Sequence, residues 1–320
     1  MNNQLEIIIE EDEEIEQEES QIEISTKRNE NEEVIVEPLE TWKYIVMYGI
    51  TFLLFIALCI YTTLFYESEN SNELFIKKIM IYGGYTIVAW TNGKFLRGRL
   101  EMKVNYTRKI NHVLVWLIPP IVDAIIPVDE TFLSALWNIF MGIFGQMLWT
   151  LPVRNFDKTG FLNTAFSAMD RPEDRPNTLK WMALQNIGTG LSIFPFSYLF
   201  SKWNLNNFLL VPLLIVTFGD GLAEPIGVRF GKHKYKVKAL FTDKLYTRSY
   251  EGSSCVFFSA IGILGILHNE FETLELILNI LLIPIITTLV EAFSPHTLDN
   301  PLIIISCAGI LALTHLPQEL

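Results

Sequence analysis

Residues 207–235 read NFLLVPLLIVTFGDGLAEPIGVRFGKHKY, and the order of their parts decides what kind of chain this is. An apolar run over 207–223 carries Asp220 near its end, between Gly219 and Gly221. Short apolar runs broken by Gly and Pro line a site more readily than they face lipid. An ionisable residue at such a place is a functional candidate by default. Cations follow at once in Lys232, His233 and Lys234, and a second carboxylate, Glu251, stands in Arg248-Ser249-Tyr250-Glu251-Gly252-Ser253. Carboxylate oxygens suit Mg²⁺, glycines let backbone N–H groups approach phosphate oxygens, and Lys and Arg neutralise phosphates. Together they make the inventory of a metal–nucleotide site at a membrane surface.

Working outward, the apolar runs continue on both sides. Candidate spans fall near 44–65, 75–92, 112–128, 132–151, 183–200, 207–223, 254–268, 274–292 and 301–315, which predicts an all-α polytopic membrane bundle of about nine helices. Half of the 320 residues are apolar, too many for an ordinary soluble domain of this length. The net charge of −12 divides unevenly: residues 1–40 hold 15 Asp or Glu against Lys27 and Arg28, and the remaining 280 residues sum to +1. Residues 1–40, without Gly or aromatics, are therefore expected to be a disordered, acidic cytoplasmic tail, and residues 41–320 the transmembrane catalytic domain. With no secretory signal ahead of the tail, the first apolar run is expected to act as the targeting signal. Cys59, Cys255 and Cys307 sit in apolar runs without metal spacing and read as filler.

Charge patterning predicts orientation. Loop 93–110 holds Lys94, Arg97, Arg99, Lys103, Arg108 and Lys109 against Glu101. Segment 229–250 holds Arg229, Lys232, Lys234, Lys236, Lys238, Lys244 and Arg248 against Asp243. Four spans separate these segments, so both fall on one face, and the positive-inside rule makes it cytoplasmic. Acidic loops at Glu67, Glu69 and Glu73, at Asp129 and Glu130, and at Glu270 and Glu272 fall on the other face. A soluble nucleotide would meet Arg108–His112, loop 152–182, Asp220–Ser253 and Ser294–Asn300 on the cytoplasmic side.

Asp220 and Glu224, one turn apart, share a helix face if the helix continues, but Pro225 disfavours helical geometry at Glu224 and is expected to open the chain there. Asp220 and Glu251 are the expected metal ligands, with Glu291 and Asp299 as further carboxylates for metal or base work. Lys232, Lys234 and Arg248 are the expected phosphate clamp, with Arg108 and Lys109 closing the pocket. Gly219, Gly221, Gly227, Gly231, Ser249, Gly252 and Ser253 complete the nucleotide-binding set. If a helix starts near Ser253, its free N–H groups form an anion site; Ser253 or Ser254 could equally be a plain N-cap. Loop 170–180 reads either as a lid or as a Pro-stiffened connector. There is no GxxxxGK[ST] loop and no protein-kinase motif set.

The pieces Asp220, Ala223, Gly227, Phe230-Gly231-Lys232 and Arg248-Ser249-Tyr250-Glu251-Gly252-Ser253 resemble the signature of the dolichol kinase, phytol kinase and CTP-dependent diacylglycerol kinase group of membrane lipid kinases. Weaker echoes lie at 108–112 and 291–300. Arg248 departs from the lysine usual there, and the stretch from Lys234 to Tyr246 is longer than the pattern. The resemblance implies Mg²⁺-assisted phosphoryl transfer from CTP to a membrane lipid alcohol, of the isoprenoid type or diacylglycerol. The expected partners are thus the nucleotide, the lipid alcohol and the bilayer of the endoplasmic reticulum; nothing calls for nucleic acid. Two other readings stay open. One is cytidylyl transfer to phosphatidate, although the His-Gly-Gly…Asp-Arg pattern expected of it is missing. The other is a transporter, whose charges should lie near the bilayer midplane; Asp123 is the main residue placed that way.

Overall fold

In the computed structural model of the chain, residues 41–65, 71–128, 132–156, 160–240 and 244–315 are described. The acidic tail 1–40, together with Glu67, Glu69, Asp129, Glu130 and Asp243, lies outside them.

The fold is dominated by helices. Helices α1 (Thr41–Phe65), α2 (Ser71–Thr91), α3 (Val104–Ile125) and α4 (Phe132–Leu148) come first. Short helices α5 (Leu151–Phe156) and α6 (Phe161–Ser167) lead to the long α7 (Thr178–Lys202). Helices α8 (Leu210–Leu214) and α9 (Gly221–Phe230) are joined end to end by a π-helical turn, Ile215–Asp220. The chain closes with α10 (Tyr250–Ile266), α11 (Thr273–Phe293) and α12 (Asp299–Thr314). Each apolar run of the sequence overlaps a helix. Among the described residues, the helical stretches Trp42–Thr62, Asn206–Phe230 and Thr273–Phe293 are long and apolar enough to cross a membrane. The outer faces of the first and third carry exposed Ile45, Leu53, Leu281 and Leu289, a surface suited to hydrocarbon and not to water.

The core lies where α7 to α12 meet. Ile215, Val216, Val256, Ile283, Ile304 and Leu311 have no exposed surface there, and Cys307 is fully buried among them as apolar filler, while Cys59 and Cys255 are half-buried. The cores of α9 and α10 meet through small residues. A Cβ on Gly252 would stand 2.5 Å from the Ala223 carbonyl oxygen, and one on Gly219 would stand 3.0 Å from the Val256 Cα. Lys77, one of two adjacent lysines in the second apolar run, pairs at 2.7 Å with Asp123 of α3 and donates to the Val128 carbonyl. That contact gives Asp123 a packing partner between α2 and α3.

One local element is new, and two local expectations change. The basic stretch after Gly231 is an antiparallel hairpin, β1 (Lys234–Lys238) and β2 (Leu245–Ser249), with Lys234 opposite Ser249 and Val237 opposite Tyr246. Its period of two places Val237 and Tyr246 against Trp181 while Lys236 and Lys238 face outward. Pro225 does not open the chain: α9 runs through it. The π turn just upstream widens the helix, and close packing against α10 and α3 holds the remainder helical. Finally, α10 starts at Tyr250, four residues after Tyr246 and earlier than Ser253, because Ser249 is the N-cap and its Oγ accepts from the Gly252 N–H at 3.1 Å.

Candidate functional site

Two adjacent cations on α3 meet two carboxylates one turn apart on the α8–α9 rod. Lys109 Nζ donates to Asp220 Oδ2 at 2.8 Å, and Arg108 pairs with Glu224. His112, one turn beyond Lys109, stands 3.5 Å from Asp220 and contacts the Val216 carbonyl at 3.1 Å. The spacing of three on α3 and four on α9 is what lets both rows face each other.

The loop between α6 and α7 enters the same place. Thr107 Oγ1 anchors it by donating to the Ala168 carbonyl at 2.7 Å. Arg171 then spreads over three partners. Its Nε and one terminal nitrogen bind Asp174 at 3.0 and 2.8 Å, and the other terminal nitrogen binds Glu224 at 2.9 Å. It also donates to His296 Nε2 at 2.9 Å. A guanidinium has no acceptor, so His296 offers Nε2 as a lone pair. Burial lowers the His296 pKa, opposed by Asp174 and reinforced by the Arg171 charge, which agrees with a neutral ring. Burial would raise the Asp174 carboxyl, but the charges of Arg171 and Arg108 and the hydrogen bonds from Arg171 hold it well below the usual carboxylate range. The His296 ring lies flat on Tyr246, with centroids 3.9 Å apart, and edge-on to Trp181.

From the hairpin, Arg248 reaches Glu291 Oε1 at 3.1 Å and Asp299 Oδ2 at 3.3 Å, and it also binds the Glu291 carbonyl. Gln185 steadies Asp299 from α7 at 3.3 Å. Between these groups lies a cavity of about 340 Å³, within the range of small-molecule sites. Its lining carries five cations, Arg108, Lys109, Arg171, Lys234 and Arg248, and four carboxylates, Asp220, Glu224, Glu291 and Asp299. The near balance suits a charge-compensated ligand better than a bare polyanion.

Much of the expected set is brought together. Arg108, Lys109, Asp220, Gly227, Lys234, Arg248, Ser249, Gly252, Ser253, Glu291 and Asp299 all line the cavity. Glu251 does not. It stands in the first turn of α10 and its carboxylate takes the His233 backbone N–H at 3.3 Å and His233 Nδ1 at 2.8 Å, stapling the Gly231–His233 turn to the helix. Lys232 is exposed and outside the lining. Gly219, Gly221 and Gly231 are absent from it too, and no described glycine has positive φ. Gly219 and Gly221 serve helix contacts: a Cβ at Gly221 would meet Val113 Cγ2 at 2.6 Å. Gly231, where the chain leaves α9, is crowded by Ser249. Loop 170–180 is neither a free lid nor a bare connector, since it supplies Arg171 and Asp174 to the network. The density of alternating charge in Asp170-Arg171-Pro172-Glu173-Asp174-Arg175 was the available signal.

For a divalent cation, the telling atom is Glu291 Oε2, buried without a hydrogen-bond partner. Asp220 and Glu291 are 3% and 4% exposed and line the same cavity. No group of three or more His, Cys, Asp or Glu is arranged to hold a metal among the described residues. Mg²⁺ commonly takes only one or two carboxylates and completes its shell with water and substrate phosphates. By donor type and by sharing the cavity, Asp220 and Glu291 suit such an ion, whereas Glu251 lies outside the lining. Comparisons with protein-family models, curated proteins and solved structures give no match.

Proposed function

We propose that the chain is a polytopic membrane phosphotransferase of nine spans, with its tail and cavity on the cytoplasmic side of the endoplasmic reticulum. It transfers a phosphoryl group from a nucleoside triphosphate, CTP by resemblance, to the hydroxyl of a membrane lipid alcohol. The observation that supports this most is convergence. Arg108, Lys109, Arg171, Asp220, Lys234, Arg248, Glu291 and Asp299, distant in sequence, line one cavity with the charges phosphoryl transfer needs.

In this reading Lys109, Arg108, Arg171, Lys234 and Arg248 surround the polyphosphate. Arg248 is already oriented by Glu291 and Asp299, and Arg171 by Asp174 and Glu224, so little side-chain entropy is lost when phosphate arrives. Asp220 and Glu291 would hold Mg²⁺, which would supply charge neutralisation to the phosphate oxygens. Asp299, which also steadies Arg248, would accept the hydroxyl proton.

The test is purified full-length protein with labelled CTP or ATP against a panel of isoprenoid alcohols and diacylglycerol. A lipid phosphate with release of the nucleoside diphosphate is expected. Pyrophosphate release with a nucleotidyl lipid would replace the reading by cytidylyl transfer, and no turnover of any lipid with either nucleotide would overturn it.

A further inference from the structure

A second concavity, open and about 510 Å³, lies where α2 ends. Helix α2 does not stop at Thr91 but widens into a π-helical turn, Asn92–Arg97, and this turn with the residues after it presents Lys94, Arg97 and Arg99 around the opening. The opposite wall is α6. A Cβ on Gly93 would collide with the Thr164 carbonyl, so the two backbones are in direct contact and the shelf has a firm floor.

Its chemistry differs from that of the ion-paired cavity. No described residue in the lining is acidic. The Thr164 and Ser167 hydroxyls donate to the carbonyls of Gly160 and Thr164, so the cations carry the recognition. Arg97 donates one bond to the Met102 carbonyl at 3.0 Å, and Lys94 Nζ lies 4.7 Å from the Trp90 ring centre. Beside them Trp90, Phe95 and Leu100 expose 41%, 45% and 54% of their surface. Cations set next to exposed aromatic and aliphatic side chains at the end of an apolar helix form an interfacial arrangement: the rings lie at the headgroup boundary and the charges reach outward.

We propose that this shelf binds the phosphate headgroup of an anionic membrane phospholipid, held by Lys94, Arg97 and Arg99 with the acyl chains against Phe95 and Leu100. The missing lining carboxylate leaves no ligand for a metal–nucleotide, and the apolar rim suits a lipid and not a soluble anion. The shelf stands at the same end of α3 as Arg108 and Lys109, and the Thr107–Ala168 hydrogen bond ties that end to the loop carrying Arg171.

The test uses the purified full chain in neutral detergent, titrated with acyl-labelled phosphatidylserine. The triple variant Lys94→Gln/Arg97→Gln/Arg99→Gln should weaken binding on the order of 100-fold. The charge-keeping Arg97→Lys/Arg99→Lys should stay within about threefold of wild type, since an anionic surface reads point charge. Acyl-labelled phosphatidylcholine should bind far more weakly than the serine lipid. Equal binding by the triple variant, or equal binding of phosphatidylcholine, overturns the proposal. So does displacement by inorganic phosphate at concentrations matching the lipid, which would mark a free-anion site. Serine-lipid binding that appears only after deletion of residues 1–38 would make the acidic tail the occupant instead.

Discussion

Replacing Arg171 by Met keeps the length of the side chain and removes its charge and every donor. Arg171 is 7% exposed and pairs with both Asp174 and Glu224. Its pKa is raised by those two carboxylates against the opposing effect of burial. Removing one member of a buried ion pair costs about 3–5 kcal/mol, because the partner charge stays buried and unpaired. Arg108 still pairs with Glu224 and stands 3.9 Å from Asp174, which places the expected loss at the low end, ~3 kcal/mol. For a chain of this size that corresponds to roughly 4–5 °C in Tm. Thermal unfolding of purified protein in detergent, followed by tryptophan fluorescence, reads it directly. The sharper measurement is the cycle with Asp174→Asn. Neutralising both partners removes the stranded charge, so Arg171→Met/Asp174→Asn should cost less than the two single losses together. Additivity within ~0.5 kcal/mol would show that the two side chains do not act as a unit, and the network reasoning would fail.

Asp220→Asn and Glu291→Gln should each remove nearly all turnover and the Mg²⁺ dependence of nucleotide binding, while Glu251→Gln keeps most of both; equal losses in all three would return Glu251 to the site. Gly252→Ala places a methyl group 2.5 Å from the Ala223 carbonyl oxygen, and the overpacking should cost about 1–3 kcal/mol in a thermal shift measurement. His296 has its pKa lowered from 6.5 in the folded protein, so the unfolded chain binds more protons below that pH. Stability from this group is then fully present above about pH 6.5 and declines as pH falls; Tm should drop between pH 7 and 5, and His296→Gln should flatten that slope. Deleting residues 1–38 should leave maximal turnover intact, measured with the same lipid and nucleotide as the full chain.

The helices were legible because burial in a bundle demands long apolar runs, and each of those runs overlaps a helix. Most cavity cations and carboxylates were legible for a related reason. Charge is rare beside apolar runs unless something holds it, so Asp220, Arg248, Glu291 and Asp299 stood out. The hairpin was also written in the alternation of Lys234-Tyr235-Lys236-Val237-Lys238, beneath a density of lysine that reads first as charge. Side-chain direction was not legible. Glu251 and Ser253 are two residues apart on α10, about 200° around a helix, and only packing of Gly252 on Ala223 decides that Ser253 turns toward the cavity while Glu251 turns to His233. The glycines likewise invite two uses, phosphate approach or helix contact, and only the neighbour in space chooses between them. Nor could Arg171 be separated from Arg175 in sequence. The fold carries the first beneath Glu224 and His296 and leaves the second with Asp170 at the loop surface, because a pairwise contact across tens of residues depends on where the chain returns.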